Sequence, residues 1–131
     1  MEEREKWVLD RARQAVDAEK ADRVLLVGKS LGTLAAPLAA ERGLPAIWLT
    51  PLITLSGVLE ALRRSTAPTL LAGGTHDPWW DGAAVRTLHH PYVEIPGAGH
   101  GLELGDDPVG SVQILKDVTA AVSRFVEGLR P

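Results

Sequence analysis

The stretch RVLLVGKSLGT, Arg23 to Thr33, carries two incompatible meanings. Gly28-Lys29-Ser30 can close a phosphate-binding loop, or Gly28 to Gly32 can form a Gly-x-Ser-x-Gly turn that presents a nucleophilic serine. The first needs a glycine about five residues before Gly-Lys-Ser, opening a loop whose amides wrap the phosphate. Arg23 stands there, and Val24 to Val27 is a wholly apolar run that reads as a strand covered on both faces. A strand cannot wrap a phosphate, so that reading fails. The second needs a strand running straight in, a helix running straight out, and small residues at Gly28 and Gly32 so that the two approach. The expected helix is Leu31 to Arg42, stopped by Gly43 and kinked by Pro37. By chance the motif arises in roughly one such chain in twenty, so its surroundings must carry the claim.

Outward from this turn, apolar strands alternate with helical patterns. An amphipathic helix over 2–20 precedes it, with acidic residues crowding the first turn where the helix dipole favours them. Strands are predicted at Ala46–Leu49, Thr69–Ala72 and Tyr92–Ile95, and helices at Gly57–Arg64, Gly82–Leu88 (capped by Asp81) and Val109–Leu129. Such alternation means a short parallel sheet with helices on both faces, an α/β three-layer sandwich formed as one domain over 1–131. Ligands of such sheets bind at the carboxyl ends of the strands. Four loops meet there: Gly28–Ser30, Thr50–Ser56, Gly73–Asp81 and Pro96–Gly105.

With 131 residues, 45% apolar and 24% charged, the composition is that of an ordinary globular domain. A net charge of −3 gives no electrostatic reason to expect nucleic acid or an anionic membrane as partner. No apolar run reaches bilayer-spanning length and the charged N-terminus is unlike a signal peptide, which points to the cytoplasm. The absence of cysteine excludes disulfides, thiolate metal sites and a cysteine nucleophile. Scarce thermolabile residues and many prolines fit a heat-adapted host or a GC-rich genome equally.

A serine hydroxyl needs a base within hydrogen-bond reach, and the base needs a carboxylate to hold its tautomer. LLAGGTHDPWWD places Asp77 just past the third strand, and VEIPGAGHGLEL places His100 just past the fourth. The order along the chain is Ser30, Asp77, His100. Asp81 and Asp106 are substitutes for the acid, Asp81 better suited to capping a helix.

At these residues the chain resembles the α/β-hydrolases, whose order is nucleophile, acid, histidine. GKSLG is similar to the family's nucleophile turn, GTHDP to its acid loop and PGAGHGLEL to its histidine loop. The resemblance runs over nearly the whole chain and looks like the C-terminal half of that fold. It implies a serine hydrolase of small acyl esters, working through Ser30, His100 and Asp77 without a cofactor, with Leu31 N–H as one oxyanion donor. In the family a second donor comes from an upstream loop, which has no counterpart here. Slow turnover is therefore expected unless the Thr50–Ser56 loop or a second subunit supplies it. The resemblance also implies that the first strand lacks a neighbour, leaving an apolar edge that two copies cover as a homodimer. The rival reading is a non-catalytic binding or assembly module of the same fold.

Other residues have plainer alternatives. Lys29 reads as solvent-reaching, or as attracting acidic substrates. Trp79 and Trp80 read as loop packing or interface, with Trp79 a candidate pocket wall, and Leu52 and Ile53 as a pocket lip or an interface. His76, His89 and His90 lack metal-ligand spacing.

Overall fold

The computed structural model describes residues 2–131. Helix α1 (Glu2–Ala18) leads into strand β1 (Leu26–Lys29), a 3-10 segment over Ser30–Ala35 and helix α2 (Ala36–Arg42). Strand β2 (Ala46–Leu49), helix α3 (Ser56–Arg64), strand β3 (Thr69–Gly74), helix α4 (Gly82–Arg86), strand β4 (Tyr92–Ile95) and helix α5 (Pro108–Gly128) complete the chain. The four strands form one parallel sheet in the order β1-β2-β3-β4, flanked by helices on both faces, as the alternation predicts.

One face carries α1, the 3-10 segment, α2, α3 and α4 over Trp48 and Leu71, with Trp80 packed among them. The other face carries α5, whose Ile114 and Val118 pack on Ala72 and Ala98 beside Leu49, Val93 and Ile95. Successive strand residues point to opposite faces, so Gly28 meets Trp48 on the first face while Val27 and Lys29 point to the second. Helix α5 lies against β3 and β4. Among the described residues β1 pairs with β2 alone, and Val27 stays 62% exposed at that edge.

Two local expectations are corrected. The first strand is Leu26–Lys29 rather than Val24–Val27. Its partner β2 begins at Ala46, and Leu26 N–H donates to the Pro45 carbonyl (3.0 Å), so the residues before Leu26 have nothing to pair with. The helix after the turn is not a single kinked one. It runs as a 3-10 segment to Ala35 and becomes α-helical at Ala36, with Pro37 in the first α-turn, where its missing N–H costs no bond. Gly43 ends α2 in the left-handed conformation, as expected (φ +63°). At the outer corner Arg42 donates to Asp17 (2.6 Å), which holds that carboxyl below the usual carboxylate range and ties α1 to α2. No described helix is long and apolar enough to cross a membrane.

Candidate active site

Ser30 follows β1 directly and has φ +52°, a left-handed value that a non-glycine residue adopts only when its surroundings hold it there. Gly28 makes the tight turn possible. A Cβ there would lie 2.6 Å from the Trp48 ring and 3.0 Å from the Gly32 carbonyl. Gly32 itself has open space where a Cβ would go, so the expectation that both glycines are sterically required holds for Gly28 only.

The acid and histidine loops are bonded to each other. β3 extends through Gly73 and Gly74, two residues beyond the predicted Ala72, because they pair with Glu94 and Ile95. Thr75 N–H then donates to the Ile95 carbonyl (3.1 Å), His76 N–H to the Ala98 carbonyl (2.9 Å), and Gly97 N–H to Thr75 Oγ1 (2.7 Å). Gly74 permits this approach, since a Cβ there would stand 2.2 Å from the Ala98 carbonyl oxygen.

The result is a continuous line of contacts. Ser30 Oγ lies 2.6 Å from His100 Nε2, and His100 Nδ1 lies 2.7 Å from Asp77 Oδ2. A carboxylate only accepts, so Nδ1–H donates to Asp77 and Nε2 is left to accept from the serine hydroxyl. Asp77 is 2% exposed, and its second oxygen accepts the Trp79 N–H (2.9 Å). Both oxygens of a buried charge are thus satisfied, and the ring is fixed in one orientation. Asp81 caps α4 by accepting the Ala84 N–H (3.1 Å), and Asp106 is exposed.

The remaining candidates lie elsewhere. Lys29 is exposed and lines a cleft of about 350 Å³ with Leu49, Leu102, Ile114, Leu115 and Val118. Gly101 belongs to the same wall, so the cleft is bordered by the sequence neighbours of both Ser30 and His100. Leu52 is not a pocket lip: its side chain is 4% exposed, inside the core with Ile53. Trp79 packs half-buried against that core, and Trp80 is buried with its Nε1–H donating to Glu94 (2.8 Å). Leu31, 38% exposed, stands in the first turn of the 3-10 segment, where an N–H has no carbonyl of its own helix to bond. The Thr50–Ser56 loop is less open-handed. Its Thr50, Leu52, Ile53 and Leu55 amides are engaged with Ala72 O, Thr33 Oγ1, Pro51 O and Leu52 O respectively.

Glu94 and Thr33 are polar residues of this region that sequence reasoning missed. For Thr33 the only signal was its place three residues after the serine.

The fold recurs in solved structures. An alpha-beta serine hydrolase homologue from Coxiella burnetii superposes with a TM-score of 0.58 at 21% identity, over 95% of this chain and 54% of that one. A protein described as a YdeN-like hydrolase from Pectobacterium atrosepticum gives 0.66 at 20% identity, over 98% of this chain and 71% of that one. The fold is α/β-hydrolase-like. The chain spans about half the length of the Coxiella protein. Its sequence matches no protein-family model and no curated protein.

Proposed function

We propose that this α/β-hydrolase-like chain is a serine hydrolase that cleaves small acyl esters through an acyl-enzyme intermediate. The observation that carries the reading is the unbroken line from Ser30 Oγ through His100 to the buried Asp77, at 2.6 and 2.7 Å. A binding module has no physical need for that line, and its closeness favours catalysis over the binding-module reading.

In the proposed reaction His100 Nε2 takes the hydroxyl proton as Ser30 Oγ forms a bond to the acyl carbon. Leu31 N–H stabilises the oxyanion. The carbon–oxygen bond to the alcohol then breaks, and His100 returns the proton to the departing oxygen. Water, deprotonated by the same nitrogen, attacks the acyl carbon, releasing the acid and restoring Ser30. Asp77 holds the imidazole in place and stabilises its charged form throughout. The largely apolar cleft beside Lys29 and Leu102 is suited to a short acyl chain, and its charged lining residues are one of each sign, Lys29 and Glu103. Four of the amides around Thr50–Ser56 already have partners, so the proposed oxyanion donor is Leu31 N–H, and removing one donor of this kind costs about 10²–10³ in rate.

We further propose a homodimer across the β1 edge. The Leu26 amide points to β2, so the neighbouring Val27 N–H and C=O point outward. A second copy presents the same unpaired edge, and antiparallel pairing about Val27 gives each chain the backbone bonds it lacks.

The test of the enzyme reading is intact mass after treatment with a fluorophosphonate, for wild type and Ser30→Ala. One adduct on wild type and none on the variant is expected. Folded wild-type protein that takes up no adduct would refute an activated Ser30.

A further inference from the structure

We infer that Thr33 is the positioning residue of the oxyanion donor, and that it couples the nucleophile turn to the loop after β2. The inference rests on the serine-hydrolase reading above. Thr33 is fully buried, and its hydroxyl is committed in two directions. Oγ1–H donates to the Ser30 carbonyl (2.7 Å), while Oγ1 accepts the Leu52 N–H (3.2 Å).

The consequence follows from peptide geometry. The Ser30 carbonyl and the Leu31 N–H belong to one planar trans peptide unit and point in opposite directions. Whatever fixes the Ser30 oxygen therefore fixes the direction of the Leu31 N–H. Within the 3-10 segment the i to i+3 pattern brings the Thr33 N–H toward the same oxygen. The hydroxyl adds a second bond, and it alone reaches beyond the turn. Its other partner, Leu52, sits two residues after Thr50, which is itself held at φ +44° and is fully buried. Thr33 thus ties Ser30, at φ +52°, to Leu52 in the loop that Thr50 opens at φ +44°. Without the bridge, the Ser30–Leu31 peptide unit can tilt, and the donor no longer points where charge develops. A threonine bonding back to a carbonyl in its own turn is commonplace. The buried cross-bond to Leu52 and the left-handed conformation of Ser30 set this one apart.

The experiment compares wild type, Thr33→Val and Thr33→Ser in hydrolysis of p-nitrophenyl acetate, with fluorophosphonate labelling alongside. Thr33→Val keeps the shape and removes the hydroxyl, and Thr33→Ser restores it. The expected result is a fall in kcat of about ten- to a hundred-fold for Thr33→Val, with KM within about two-fold. The midpoint of its pH–rate profile should stay at the wild-type value, because the Ser30–His100–Asp77 contacts are untouched. Thr33→Ser should recover to within about three-fold of wild type. If Thr33→Val does not fold, Thr33→Ala removes the same hydroxyl with a smaller side chain and carries the same expectation. Wild-type turnover by the hydroxyl-less variant, or a Thr33→Ser variant as slow as Thr33→Val, overturns the inference while wild-type labelling at Ser30 still supports the hydrolase reading. Wild type that neither labels nor turns over overturns both.

Discussion

In the proposed reaction a single side chain, Asp77, decides whether His100 can act as a base. The carboxylate is buried, bonded to His100 through one oxygen and to the Trp79 amide through the other. Replacing one oxygen by an NH₂ group keeps the shape but can present a donor to Nδ1. The ring then carries its proton on Nε2, facing Ser30, and the serine has no acceptor for its own. Asp77→Asn is accordingly expected to fold, by circular dichroism, and to lose about 10⁴ in kcat on an ester substrate. Retention of wild-type kcat would show that Asp77 is only a turn residue. Asp77 rather than Asp81 or Asp106 stands at the histidine, a choice that chain order alone leaves open between Asp77 and Asp81, since both precede His100. Chain order does not say how deeply the carboxylate is buried.

The contact between β1 and the 3-10 segment is set by one glycine rather than two. A methyl group at Gly28 meets an indole ring at 2.6 Å and a backbone oxygen at 3.0 Å, and that ring, Trp48, is buried in the core. Neither neighbour can move freely, so Gly28→Ala is expected to destabilise the fold by about 1–3 kcal/mol. Gly32→Ala meets nothing and places a better helix former in the segment, so it should leave stability unchanged or raise it by up to about 1 kcal/mol. Urea denaturation of the pair checks both, and equal losses from the two substitutions would contradict this account. The Gly-x-Ser-x-Gly pattern treats the two glycines alike. The difference between them lies in Trp48, twenty residues from Gly28 along the chain. The same dependence on distant partners moved β1 to Leu26–Lys29, since a strand is defined by the neighbour it bonds to. It also moved the start of α2 to Ala36, where Pro37 sits harmlessly in the first α-turn.

At the scale of the molecule, α5 covers β3 and β4, while among the described residues β1 pairs with β2 alone and Val27 is exposed. The proposed dimer predicts a sedimenting species of twice the monomer mass at micromolar concentration. Val27→Pro removes the outward N–H and should reduce it to monomer. Only monomer in the wild type would remove the proposal.

Period and order were enough to read much of this protein from its residues. Alternating apolar runs and helical patterns specified a parallel α/β sheet, because those periods report which faces are buried. Ser30, Asp77 and His100 could be picked out because each follows a strand, and strand ends of a parallel sheet converge. Tertiary structure alone decided the 2.6 and 2.7 Å contacts, the burial of Leu52, the steric need for Gly28 but not Gly32, and the bridge from Thr33 to Leu52. Each of these depends on residues far apart in the chain, brought together by packing of the sheet and its helices, and no local pattern of residues encodes such a meeting.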